Sequence, residues 1–413
     1  MPERKKGVVP RLRFPEFRDA GPWEVLQIGS FLTESRIEGT SGDTAKKLTV
    51  KLWGEGVVPK NEYLPGSPNT KYYRRRAGQF IYSKLDFLNG AFGLIPEELD
   101  GYESTVDLPS FDIGKGLVPR YFLEYVKRPQ FYKRYGEQAD GSRKAKRVQV
   151  GYFLSLPLPV PSPAEQQKIA DCLSSLDELI TLQAQKLDAL KAHKKGLMQQ
   201  LFPREGETTP RLRFPEFRNA GPWELRALAK VLEEHGEKSN GTEEVYSVSV
   251  HKGLVNQIEH LGRSYAAKNT DHYNRVLPGD IVYTKSPTGD FPYGIVKQNK
   301  NQKAVIVSPL YGVFRPENYA IGVLIDAFFE SPCRAKTFLE PLVQKGAKNT
   351  INISNARFLS GKLPLPQNPT EQQKIADCLS SLDDLIQREA QKLEALKAHK
   401  KGLMQQLFPQ EVE

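Results

Sequence analysis

The stretch EQQKIADCLSSLDELITLQAQKLDALKAHKKGLMQQLFP, residues 165–203, returns as EQQKIADCLSSLDDLIQREAQKLEALKAHKKGLMQQLFP at 371–409, with 34 of 39 positions identical. An internal repeat of this fidelity predicts two equivalent halves before any local reading begins. Each copy reads as one long helix. Apolar residues step by three and four through Ile169, Leu173, Leu176, Ile180, Leu187, Leu190, Leu197 and Leu201. Gln183 and Lys194 occupy the two missing rungs, so a heptad runs through the whole segment. Ser162-Pro163-Ala164-Glu165 and Asn368-Pro369-Thr370-Glu371 supply a capping side chain, a proline at the first helical position and a glutamate placed to reach back to the cap. A Leu-Phe-Pro ends each copy, since proline cannot continue a helix.

Such a helix cannot bury its stripe alone, and its natural partner is the other copy. The expected interface is Ile169, Leu173, Leu176, Ile180, Leu187, Leu190 and Leu197 with Ile375, Leu379, Leu382, Ile386, Leu393, Leu396 and Leu403. The heptad itself leaves the direction of pairing open. Two halves closing about a two-fold axis favour the antiparallel arrangement, in which Gln183 meets Glu389 rather than a second carboxylate.

Around this frame the composition is ordinary except for charge. The chain has 413 residues, room for two or three cores, a net charge of +10 and three cysteines. Mean hydropathy is -0.51, and no long apolar run suggests a membrane span. The basic start MPERKKGVVP lacks the apolar segment of a secretory signal. Too few cysteines for a disulfide framework point to a reducing cytoplasm. The basic balance points to a polyanionic partner.

A second repeat precedes each half. RLRFPEFRDAGPWE (11–24) returns as RLRFPEFRNAGPWE (211–224), whereas the blocks at about 25–158 and 225–364 differ almost throughout. One frame therefore holds two unlike inserts. Residual likeness says that the inserts share a fold. Ala77–Lys84 (AGQFIYSK) parallels Pro278–Lys285 (PGDIVYTK), Asn89–Ile95 parallels Asp290–Val296, and Val148–Leu158 parallels Ile351–Leu365. Short β-branched and aromatic runs broken by Gly, Pro and Asn predict mostly β structure, with a helix over Ala320–Phe329. The expected architecture is α+β: two pseudo-symmetric halves, each a mostly-β globule followed by a long helix. Boundaries fall at 1–158, 159–205, 206–364 and 365–413.

Basic residues interleaved with aromatics mark candidate DNA contacts, because cations neutralise phosphates and arginine pairs with guanine. In the first insert these are Lys71, Tyr72, Tyr73, Arg74, Arg75 and Arg76, then Tyr82 and Lys84, with Arg143, Lys144, Lys146 and Arg147; Lys127, Arg128, Lys133 and Arg134 add further charge. In the second insert they are Arg263, Tyr265, Lys268, Tyr283, Lys285, Lys345, Lys348 and Asn349, with Arg275 and the polar tips Asn256, Gln257 and Asn352. Lys84 and Lys285 weigh most, since both inserts keep a lysine at one place. Catalytic signatures are missing. There is no Asn-Pro-Pro-Phe/Tyr or Asp-Pro-Pro-Tyr element, no Walker loop, and Gly54-Glu-Gly56 lacks the rest of a nucleotide-binding pattern. The histidines and cysteines do not fall at metal spacing, so neither a metal nor a cofactor is expected. His193 and His399, within Lys-Ala-His-Lys-Lys on the helices, read as solvated or partner-facing.

The proline-led Glu-Gln-Gln-Lys-Ile-Ala helix after each of two variable blocks, the Leu-Arg-Phe-Pro-Glu-Phe lead-ins and the Gly-x-Phe/Ile-Ile/Val-Tyr-Ser/Thr-Lys strands together resemble the specificity subunit of type I restriction–modification systems. The resemblance covers essentially the whole chain. It implies that 25–158 and 225–364 are target recognition domains, each reading half of an asymmetric bipartite DNA sequence. It implies that helices 162–202 and 368–408 form an antiparallel coiled coil that fixes half-site spacing and docks two methyltransferase subunits, with restriction subunits in the complex. Catalysis would then belong to the partners and not to this chain. A methyltransferase-only system and a stand-alone DNA-binding protein are the alternatives.

Overall fold

The structure is a computed structural model, and it describes residues 7–61, 66–139, 146–261, 269–345 and 351–410. The fold is mixed α+β and divides into two compact units: Met1–Ala184 with Lys392–Glu413, and Gln185–Gln391. Each unit therefore takes a segment of both long helices, Pro163–Leu201 and Pro369–Leu407.

The first unit is built on an antiparallel four-stranded sheet in the order Leu32–Ser35, Ser110–Ile113, Phe80–Tyr82, Phe92–Leu94. Beside it lie a three-stranded sheet of Ile37–Ser41, Lys71–Arg74 and Glu103–Ser104, and the hairpin Leu48–Val50/Val57–Pro59. The lead-in strand Glu24–Gln27 pairs with Pro157–Val160, which delivers the chain to the first long helix. The core is aromatic. Phe80 stacks on Phe153 at 5.8 Å, and Tyr82 meets Phe153 at 4.5 Å.

The second unit repeats the order with Leu232–Glu234, Gly312–Pro316, Ile281–Tyr283 and Val296–Gln298, and Glu224–Ala227 pairs with Lys362–Leu365. Its core is more aliphatic, with Ile281, Val296, Ile321 and Leu324 around Phe314 and Phe358. The helix expected over 320–329 forms as Tyr319–Phe329, and the Asn318 side chain caps it. Register shifts one expected match. Strand pairing sets Gly93 opposite Ile81 but Lys297 opposite Val282, so Gly93 corresponds to Lys297 rather than to Gly294.

The helix signals behave unevenly. Ser162 Oγ accepts the Glu165 amide at 3.3 Å, as expected of a cap. The reciprocal half of the capping box is not made, because Glu165 turns to Arg13. The stripe is not a uniform helix–helix seam either. Ile169 and Leu173 lie in the first unit's globular core, which also takes Leu407 and Phe408. Ile375 and Leu379 lie in the second unit's core with Met198, Leu201 and Phe202, and Leu197 packs against it. Leu187 and Leu393 are buried, while Leu176, Ile180, Leu190, Leu382, Ile386, Leu396 and Leu403 are half-buried. Within the second unit, Lys186 pairs with Glu389 and Lys194 with Asp383, so the two helix segments there run antiparallel.

Candidate nucleic-acid interface

Repeated polar anchors lock each unlike insert onto the helix frame through residues that both copies keep. Arg13 donates both Nε and Nη2 to Glu165 at 2.7 Å; Arg213 does the same to Glu371 at 2.6 and 2.8 Å. These forks are nearly dry, and the carboxylate raises the arginine pKa in both. Gln166 accepts the Val118 amide and donates to the Gly116 carbonyl; Gln372 accepts from Asn318 and donates to the Pro366 carbonyl. The terminal Phe of each Leu-Phe-Pro is an anchor too. Arg128 lies 4.8 Å over Phe408 and donates to the Pro409 carbonyl, while Arg334 lies 5.2 Å over Phe202. The lysine on the missing rung closes the set. Lys400 bridges Asp177 at 2.7 Å and Glu124 at 3.1 Å, and Lys194 bridges Asp383 at 2.5 Å and Glu330 at 2.8 Å. By heptad position alone Lys194 is a gap in an apolar stripe. Its perfect retention in both copies was the available signal.

In the first unit, strand Lys71–Arg74 exposes Lys71 and Arg74 and half-buries Tyr72 and Tyr73. Lys47 Nζ sits 5.5 Å over the Tyr72 ring, and a register shift between Glu38 and Ser41 bends the neighbouring strand. Arg76 is exposed at the following turn. Lys84 is half-buried; its amide donates to the Asp107 carbonyl and its own carbonyl accepts the Val148 amide. That pairing brings Lys146 and Arg147 alongside, with Arg147 at 3.6 Å from the Asp107 carboxylate and Lys146 donating to the Glu137 carbonyl. Lys133 and Arg134 are exposed on the helix Pro129–Glu137, and Lys127 pairs with Glu124.

Four expected contacts are corrected. Arg75 is only 2 % exposed and spends its guanidinium on Ser104 Oγ, Ser110 Oγ and the carbonyls of Ser35, Thr105 and Leu108. Burial pushes its pKa down to about 10, so it stays charged at neutral pH and holds the 104–110 loop from within. Tyr82 and Tyr283 are buried core residues whose hydroxyls donate to the Val148 and Tyr293 carbonyls. Burial raises both pKa values. Arg128 is likewise interior. In each case the basic or aromatic identity serves packing, which a run such as Lys71–Arg76 cannot reveal by composition.

In the second unit Lys285 is half-buried, and its backbone is left-handed at φ 61. Gly294 permits this, since a Cβ there would come within 2.8 Å of the Lys285 amide nitrogen. Burial lowers the Lys285 pKa, with Glu234 opposing. Arg275 is engaged by Glu243 at 2.6 Å. Asn256 Oδ1 caps the short helix Gln257–Leu261, Gln257 donates to Ser247, and Asn352 is exposed. Lys345 lies on the strand Gln344–Lys345. Arg143, Lys144, Arg263, Tyr265, Lys268, Lys348 and Asn349 lie outside the described residues.

Residues 121–192 and 230–398, more than half of the chain, match the family described as type I restriction modification DNA specificity domain. The chain belongs to that family. The type I restriction enzyme MjaVIII specificity subunit of Methanocaldococcus jannaschii is 23% identical over 96% of this chain and 93% of its own length. The fold is similar to that of the S subunit of a type I restriction–modification system from M. genitalium, with a TM-score of 0.60 and 14% identity over 98% of this chain and all of that one. A further similar chain comes from a structure of complex assembly and conformational transition in the type I R-M system, with a TM-score of 0.51 and 14% identity over 94% and 97% of the two chains. Among the described residues of this specificity chain, no cluster of three or more His, Cys, Asp or Glu is placed to hold a metal, and no helix is long and apolar enough to cross a membrane.

Proposed function

We propose that this chain is the specificity subunit of a type I restriction–modification complex and reads an asymmetric, bipartite site in double-stranded DNA. Residues 1–158 and 206–364 are the two recognition domains, with 25–158 and 225–364 as their readers. The helices at 159–205 and 365–413 pair as an antiparallel coiled coil that sets the gap between half-sites. They also dock two methyltransferase subunits and the restriction subunits. Adenine methylation and ATP-driven cleavage then reside in the partners, the chain catalyses neither, and the complex works in the cytoplasm. Exposed Leu179 and Leu182 on the first helix suit a docking face.

One observation carries the reading: two units with the same strand order and the same repeated anchors bear unlike charged surfaces. Lys71, Arg74, Arg76, Lys84 and Arg147 present cations in the first, and Lys285 takes a different backbone form in the second. Phosphate contacts of this kind position a protein, while base contacts specify sequence. The test is modification-sensitive sequencing of DNA from a host carrying this chain with its methyltransferase, beside a host lacking the chain. A new bipartite motif with a fixed gap and methyladenine in each half is expected. An unchanged methylation pattern, with the partner expressed and soluble, refutes the proposal.

A further inference from the structure

Among the described residues only two that are not glycine adopt a left-handed backbone, and each reader holds one of them: Trp53 at φ 58 and Lys285 at φ 61. For a bulky side chain this is a costly conformation that persists where the surroundings force it, and such positions gather at functional sites. Trp53 is also 60 % exposed, so the strain is not repaid by burying the indole.

The tip carrying Trp53 is tied down by backbone hydrogen bonds and close packing. It closes the hairpin Leu48–Val50/Val57–Pro59, with the Lys51 amide on the Gly56 carbonyl at 2.9 Å and the Glu55 amide on the Leu52 carbonyl at 3.2 Å. The Gly54 amide donates to the Gly90 carbonyl at 2.8 Å, and the Lys127 stem packs so closely on Gly54 that a Cβ there would clash. Charge names the partner. Around the tip Lys46, Lys51 and Lys60 are exposed against the single acid Glu55, while Lys47 is buried with its ammonium over the Tyr72 ring. A polyanion fits that balance, and an exposed aromatic ring suits bases, through the thymine methyl or a base face.

We infer that Trp53 is a base-contacting residue of the first reader, meeting duplex DNA within one half-site. The inference rests on the DNA-specificity reading above and adds a contact that the basic clusters do not supply. Lys285, the other left-handed residue, matches Lys84 of the first reader and is not the positional equivalent of Trp53.

The test uses the full chain expressed with its methyltransferase, comparing wild type, Trp53→Gly and Trp53→Phe by modification-sensitive sequencing. Glycine accepts the left-handed backbone, so Trp53→Gly should unfold at a temperature no lower than wild type and still copurify with the partner. Methylation at wild-type sites should fall at least tenfold, or the motif should turn degenerate in one half only. Trp53→Phe should lie between. An unchanged motif and occupancy in Trp53→Gly overturns the assignment, and so does loss of copurification, which would give the indole to a protein interface. If wild type directs no motif at all, the DNA-specificity reading itself falls and takes this assignment with it.

Discussion

Replacing Lys400 by methionine should damage the first unit far more than Lys194→Met damages the second, although the two lysines occupy the same place in a repeated helix. Methionine keeps most of the apolar stem, so the comparison isolates the charge. Lys400 faces Glu124, whose side chain is 1 % exposed, at 3.1 Å and Asp177 at 2.7 Å. Without the ammonium, Glu124 is a buried carboxylate left with Lys127 at 3.4 Å. Breaking a buried pair from one side costs about 3–5 kcal/mol, and Lys127 holds the loss near the lower end, about 3 kcal/mol. The partners of Lys194 are wetter. Glu330 is 39 % exposed and Asp383 29 %, and Lys300 still reaches Asp383 at 2.9 Å. Water and Lys300 take over much of the stabilisation, leaving a loss of about 1 kcal/mol, nearer the range of surface pairs. The difference of about 2 kcal/mol is roughly a 30-fold difference in opening equilibrium. Native-state amide exchange reads each unit separately, at Phe80–Tyr82 and at Ile281–Tyr283, where the central strands report full opening. Lys400→Met combined with Glu124→Gln should recover most of the loss, since the stranded charge is gone. Equal losses in the two units, or a larger one for Lys194→Met, would refute the assignment of cost to carboxylate burial.

Acid should loosen the second unit through Asp326. Burial alone would raise its pKa, but Lys297 and Lys300 outweigh that and hold it below the ordinary 3.8. A depressed carboxylate stabilises the fold above its unfolded pKa and loses that contribution as pH falls through the folded value. Exchange protection at Ile281–Tyr283 should therefore be steady near neutrality and fall below about pH 4, and Asp326→Asn should flatten that fall while lowering stability at pH 7. Tyr82→Phe and Tyr283→Phe should each cost about 1 kcal/mol in thermal unfolding, by loss of one buried hydroxyl bond, and leave the methylated motif unchanged. A changed motif would return those hydroxyls to the DNA surface.

The comparison of sequence with structure divides along a physical line. The doubled frame, the α+β class, the helix starts and the Tyr319–Phe329 helix are written in period, proline and repeat, which act over a few neighbouring residues. Membership of the type I specificity family was legible for the same reason, because it rests on that frame. What Arg75, Tyr82, Tyr283 and Lys194 do was not legible. Each has a surface-like identity or sits on an expected seam, and only contacts distant in the chain settle its role: Arg75 with Ser35 and Ser110, Tyr82 with Val148, Lys194 with Glu330 and Asp383. The left-handed backbone at Trp53 was hidden likewise, since the Gly90 carbonyl that holds its tip comes from another element. Local order follows from local pattern, whereas burial and strain are properties of the packed whole. The amino-acid sequence by itself determined the architecture and the family; the tertiary structure decided which of its charges and rings face outward, because desolvation depends on every neighbour at once.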